Sequence, residues 1–181
     1  YGTIQISVYG LMFFLPSQVA SLMGESLGFK QSLVAAIPWA CSAFGVYYIP
    51  RIADRNPSRR VAISVMCMLA AAVGLALSAF AGPVVAIGAL CLSAVGFLSV
   101  QPIFWTFPPQ LLTGPALAAG IGFCTTMGAF CSFLAPLIRV EVDRAMDSSI
   151  AGLMALSVIT IGCALLIGLL QKSQQAAKAY S

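Results

Sequence analysis

The sequence predicts an all-α membrane protein with six transmembrane helices, and three observations predict it. Of the 181 residues, 60% are hydrophobic and only 8% charged, with no histidine, whereas an ordinary soluble domain has about 25% charged residues and about 45–50% apolar ones. Four stretches, 1–24, 31–50, 61–138 and 148–171, contain no Asp, Glu, Lys or Arg, and about 20 apolar residues let a helix cross a hydrocarbon core of roughly 30 Å. Apolar residues run continuously along these stretches instead of alternating with polar ones, which excludes a β-barrel. The composition also excludes a soluble globular protein, a disordered chain and a nucleic-acid binder. The solvent for most of this chain is the lipid bilayer.

The first charge-free stretch gives a span near 3–24, interrupted by Gly10 and Pro16, and the second gives 31–50, with Pro38 inside it. The long stretch must fold back, and its turns are marked by Ala81-Gly82-Pro83, by Pro108-Pro109 and by Gly114-Pro115. It divides into spans near 61–80, 84–107 and 116–138, the last two containing Pro102 and Pro136. The fourth stretch holds a span near 149–170. Breaks in the first and fourth spans, three helices apart, fit two three-helix repeats of the secondary-transporter type. Pro and Gly are also simply commoner in membrane helices than in soluble ones.

Orientation follows from Lys and Arg in the short loops. Arg51, Arg55, Arg59 and Arg60 follow the second span, and Lys172 and Lys178 lie in the tail. The opposite side holds Lys30, Arg139 and Arg144 beside Glu25, Glu141, Asp143 and Asp147. Both termini and the arginine loop are therefore expected in the cytoplasm. Tyr1 already lies inside an apolar run, with no initiator Met and no signal-peptide pattern. The chain reads as a segment of a longer protein whose polar tail is its end.

Polar groups within the spans are sparse. Gln5, Tyr9 and Phe13 recur every four residues on one face of the first span, as do Phe97, Gln101 and Trp105 on the fourth. An amide facing lipid would go unsatisfied, so Gln5 and Gln101 are expected to face the bundle or a cavity. Amides beside aromatic rings suit a hydroxylated organic ligand, the rings covering its apolar faces and the amides pairing with its hydroxyls. Interhelical hydrogen bonding as plain structural glue has the same signature. Thr125 and Thr126 lie near the middle of the fifth span, and Trp39 fits a core position equally well.

No ionisable residue falls at the middle of a predicted span, so this segment has no proton relay and no cation for an anionic ligand. Catalysis lacks a histidine base, a buried carboxylate pair and a metal-ligand cluster. No cofactor and no enzyme activity are expected. The six cysteines lie in predicted spans without a CxxC pair and read as small packing residues. Gly74/Ser78 and Gly128/Ser132 allow close helix contact.

The loop Asp54-Arg55, three residues, Arg59-Arg60 puts a carboxylate among guanidiniums at a helix–loop–helix corner, where an arginine can pair with the carboxylate and with helix-end carbonyls. An ordinary positive-inside loop has the same composition. The motif resembles the repeated loop of the major facilitator superfamily, in the copy between helices 8 and 9. The strings Tyr9-Gly-Leu-Met-Phe-Phe-Leu-Pro16, Ala36-Ile-Pro-Trp39, Gln101-Pro-Ile-Phe-Trp105 and Ala118-Ala-Gly-Ile-Gly122 resemble the anion:cation symporter branch of that superfamily, over essentially the whole chain, as helices 7–12 of a twelve-helix carrier.

The resemblance implies proton-driven symport of a small organic anion, such as a sugar acid, by alternating access in a bacterial inner membrane. The missing N-terminal half would supply the proton-coupling acids and a substrate-binding arginine. A substrate-contacting tryptophan of helix 10 maps onto Trp105. An asparagine of helix 11 falls at Thr125, where a hydroxyl replaces an amide, and the Gly-Gly that commonly follows is Cys131-Ser132. The gating loop departs too, with Asn56-Pro57-Ser58 in place of a glycine-containing turn. The expected substrate residues are Gln5, Tyr9, Gln101, Trp105 and Thr125, and the expected cytoplasmic clamp is Asp54 with Arg55, flanked by Arg59 and Arg60. A self-contained six-span oligomeric channel stays open as the alternative. A membrane-embedded enzyme would need a nucleophile–base pair that the chain lacks.

Overall fold

The computed structural model describes residues 1–24 and 28–179. Glu25 and the side chains of Lys172 and Lys178, which enter the orientation count, lie outside what is described. The order is α1 (Gly2–Met12), α2 (Leu15–Met23), α3 (Phe29–Arg55), a 3-10 turn (Pro57–Arg59), α4 (Arg60–Phe80), α5 (Pro83–Phe104), α6 (Pro108–Leu111), α7 (Gly114–Ala145) and α8 (Ser149–Ala179). Five helices are long and apolar enough to cross a membrane, and the bent pair α1/α2 makes a sixth span.

The first apolar stretch is broken because Pro16 sits in the opening turn of α2, where its ring cannot follow a continuous helix. The Phe14 amide turns to the carbonyl of Leu11 at 3.1 Å, and the two pieces meet at 41°. Gly24, at φ 68°, closes α2 in the left-handed region that costs glycine little. Charge-free length underestimates several helices. The second span, α3, runs through Arg55 and the fifth, α7, through Ala145, since charged residues continue a helix once it leaves the hydrocarbon.

α5 is the central element. It packs between α3 and α4, while α8 backs α4, and α1 lies against α7 and α8. Met68, Leu75, Leu90, Phe97, Val100, Leu153 and Leu156 fill the core together with Ile4, Leu11, Leu15 and Val19. Small residues bring α4 and α5 together. A Cβ added to Gly96 would stand 2.8 Å from the Ala71 Cβ and strike the Cys67 carbonyl, and one added to Gly74 would meet Ser93 and the Ala89 carbonyl.

Hydroxyls then cross between helices. Ser93 donates to the Ala71 carbonyl at 3.0 Å, Ser157 to the Ala72 carbonyl at 2.9 Å, and Thr160 to the Ser7 hydroxyl at 2.9 Å. Such bonds hold helices together where the hydrophobic effect between them is absent. The least buried long helices are α7 and α3, with 17% and 22% of their apolar windows buried against 50% for α5. Each therefore keeps broad faces clear of this bundle.

Candidate functional site

The helix faces predicted to carry the site meet where α1 approaches α5. The Gln101 side-chain amide donates to the Gln5 side-chain carbonyl at 3.1 Å. Gln5 is 8% exposed, and Gln101 is half-buried on the opposite face of the contact. Each amide thus answers part of the other's hydrogen-bonding demand in a low-dielectric setting, where leaving it unmet is costly. Substituting Gln5 by Leu is expected to strand the Gln101 amide and cost about 1–3 kcal/mol of stability. The double substitution Gln5→Leu with Gln101→Leu should recover much of that loss, read as thermal stability in detergent.

One helical turn beyond Gln101, the chain leaves α5 through Trp105. Its ring lies 4.9 Å from that of Tyr1 and 5.3 Å from that of Phe104, and Tyr1 stacks on Phe104 at 4.9 Å. Tyr9 contributes a half-buried ring 6.1 Å from Phe13. The two stripes spiral instead of facing one space throughout. Phe97 is fully buried in the core at 1% exposure, while Phe13 is 60% exposed. A spacing of four drifts around a helix of 3.6 residues per turn, so only the Gln5–Gln101 level of the two stripes coincides.

Sequence reasoning missed Tyr1 and Phe104. The signal for Tyr1 was present, because Tyr1, Gln5, Tyr9 and Phe13 continue one spacing of four. Thr125 is placed differently from the amides. It is exposed on α7 and gives its hydroxyl to the Ile121 and Gly122 carbonyls of its own helix, at 3.0 and 2.9 Å. None of its hydrogen bonds reaches the amide pair. One turn along, Gly128 lies directly beneath the Tyr1 ring, and a Cβ there would stand 3.3 Å from the Gln5 Cγ. α7 thus passes alongside the aromatic cluster through its smallest residue.

At the arginine loop the carboxylate chooses a different partner from the one expected. Arg60 Nη2 binds Asp54 Oδ1 at 3.0 Å, tying the end of α3 to the start of α4. Arg55 and Arg59 are exposed. The 3-10 turn over Pro57–Arg59 folds Arg60 back over the corner. The Arg60 side chain is 18% exposed, and its Nε is buried without a hydrogen-bond partner. Arg51 stands 4.0 Å over the Tyr47 ring.

Arg139, expected in a loop, is inside α7 and only 2% exposed. Among the described residues, no group of three or more His, Cys, Asp or Glu could hold a metal ion.

No family model and no solved structure matches the chain. It is 47% identical over 178 residues to the inner membrane transport protein RhmT of Escherichia coli strain K12, covering 98% of this chain and 41% of that protein. It is 29% identical over 161 residues to a quinolone resistance transporter of Acinetobacter baumannii, covering 89% of this chain and 37% of the relative. It is also 29% identical over 174 residues to a protein of Agrobacterium vitis named as a candidate tartrate transporter, covering 96% and 38%. The chain spans about two fifths of the length of these relatives. All three are named as transporters and none as an enzyme.

Proposed function

The chain is homologous to bacterial membrane transporters, and from that premise we propose that it is the C-terminal six-helix bundle of a twelve-helix major facilitator carrier. In this reading the carrier takes up a small organic anion, a sugar acid such as L-rhamnonate, together with protons across the bacterial inner membrane. Both termini of the segment face the cytoplasm.

The observation that carries the reading is the amide pair of Gln5 and Gln101 beside the rings of Tyr1, Phe104 and Trp105. The rings stack against the apolar faces of a polyol chain, and the amides exchange their mutual bond for the ligand's hydroxyls. A self-satisfied pair suits a transport site, since it binds without leaving an orphaned group when the ligand departs. Thr125 joins the site from α7 by turning its hydroxyl away from its own helix. The missing half would supply the compensating cation and the titrating carboxylates. It would also cover the exposed faces of α3 and α7.

The Arg60–Asp54 pair at the corner between α3 and α4 is the proposed cytoplasmic clamp, with Arg55 and Arg59 as its flanking charges. With its carboxylate 58% exposed, the pair contributes about 0–1 kcal/mol to stability. Arg60→Ala should therefore leave folding nearly unchanged yet lower the uptake rate severalfold, while Arg55→Ala should stay near the parent. Equal effects of the two substitutions on initial uptake rates would remove the distinction.

The reading is tested by purifying the full-length carrier and measuring radiolabelled L-rhamnonate uptake into liposomes under an inward proton gradient. Uptake that collapses with a protonophore supports proton symport. Uptake indifferent to the gradient overturns the coupling, and no uptake of any sugar acid overturns the substrate class.

A further inference from the structure

A charge buried between packed helices is costly unless it is paired or hydrogen-bonded, and Arg139, 2% exposed, lies outside the site described above. Its guanidinium straddles the break in the first span. The Phe14 amide has turned to Leu11, leaving the Gly10 carbonyl without its usual helical donor, and Arg139 Nη1 reaches that carbonyl at 3.3 Å. On the far side of the break, Arg139 Nη2 donates to Gln18 Oε1 at 3.0 Å. Between them, the guanidinium carbon sits 4.2 Å over the ring of Phe14. One side chain of α7 therefore grips α1, the break and α2.

Of its three nitrogens, only Nε makes no hydrogen bond. It is buried, and Asp143 Oδ2, one turn further along α7, stands 3.7 Å away. Asp143 is itself held, since its Oδ1 accepts from the Gly152 amide in the first turn of α8 at 2.8 Å. A fixed carboxylate thus waits just beyond bonding distance of an unsatisfied donor, and charge-assisted bonds strengthen sharply as they shorten.

We propose that Arg139 is a positioning residue, the joint about which α2 pivots. In the state seen here the guanidinium holds α2 through Gln18. When α2 swings, that bond is exchanged for a closer pairing with Asp143, so no charge is stranded in either position. The inference rests on the carrier reading for its purpose, opening and closing one end of the central site, but not for its test.

The test uses the full-length protein in membrane vesicles of both orientations, with Ser21→Cys as a reporter near the end of α2. Its labelling rate by a membrane-impermeant maleimide is read against the same protein without the reporter. Gln18→Leu should release α2 and raise labelling about tenfold, the equivalent of one charge-assisted hydrogen bond. Asp143→Asn should lower it, because the alternative pairing is weakened while the contact to Gly152 survives. Arg139→Gln should lose the contrast between Gln18→Leu and Asp143→Asn, and Arg139→Lys should restore part of it.

Opposite signs for Gln18→Leu and Asp143→Asn support the joint, since a merely structural residue would shift both the same way. Unchanged labelling in both, or shifts of the same sign, overturns it. Should Arg139→Gln fail to reach the membrane, the other two variants still decide the matter. L-Rhamnonate uptake by the parent is measured in the same vesicles. A parent that labels as described but takes up nothing loses the carrier reading and keeps the joint.

Discussion

Replacing Trp105 by Ala is expected to cut uptake by the full-length carrier about tenfold or more, a change of about 1.4 kcal/mol in binding. The indole closes a three-ring cluster with Tyr1 and Phe104, and aromatic pairs of this kind contribute about 0.5–1.5 kcal/mol beyond the area they bury. It also stands one turn from Gln101, whose amide is engaged with Gln5 at 3.1 Å. Truncating it removes a wall of the proposed site and loosens the end of α5 at once. Substitution of any of the six cysteines by Ala should change uptake far less. Trp105→Phe should keep much of the activity, because it retains a ring against Tyr1. Initial rates at several substrate concentrations measure the effect, and a Trp105→Ala protein no worse than the cysteine variants would place the binding site elsewhere.

Gly96→Leu is expected to have the largest effect on folding. The α4–α5 interface has no room for a side chain at this position, where even a Cβ meets the Cys67 carbonyl and the Ala71 Cβ. Backbone cannot yield as the end of a flexible side chain does, so the helices must separate. Separation breaks the Ser93 bond to the Ala71 carbonyl and opens the best-buried helix of the bundle. Overpacking of this kind costs about 1–3 kcal/mol and occasionally more. The expected outcome is a sharp loss of monodisperse protein on size-exclusion chromatography in detergent. Gly88→Leu is the control, since nothing lies within 4 Å of a Cβ added there. Equal yields for the two variants would show that the α4–α5 contact is not the tight one.

That Gln5 and Gln101 turn inward was legible because a glutamine in an apolar run has few places to go, but that they bond to each other was not. The partner of Asp54 was not legible. Four arginines lie within ten residues of chain, and which one reaches the carboxylate depends on the 3-10 turn at Pro57–Arg59, which folds Arg60 over the corner and leaves Arg55 outside. Thr125 shows the same limit from the other direction. A hydroxyl on a membrane helix can always bond its own backbone, so its presence in the sequence does not say where it points.

Arg139 is the clearest case. Read along the chain, it ends a charge-free stretch and marks a loop. In space it lies beneath a helix break more than a hundred residues earlier, where Gly10 and Gln18 await a donor. Composition and residue order together determined that lipid is the solvent, that unbroken apolar runs span it as helices and not as a closed barrel, and roughly where each apolar stretch turns back, because hydropathy is a property of each residue in its order. Tertiary structure alone decided which polar groups meet, which rings cluster and which charge is swallowed, because pairing depends on how neighbouring helices rotate and overlap, and a one-dimensional pattern carries no record of that.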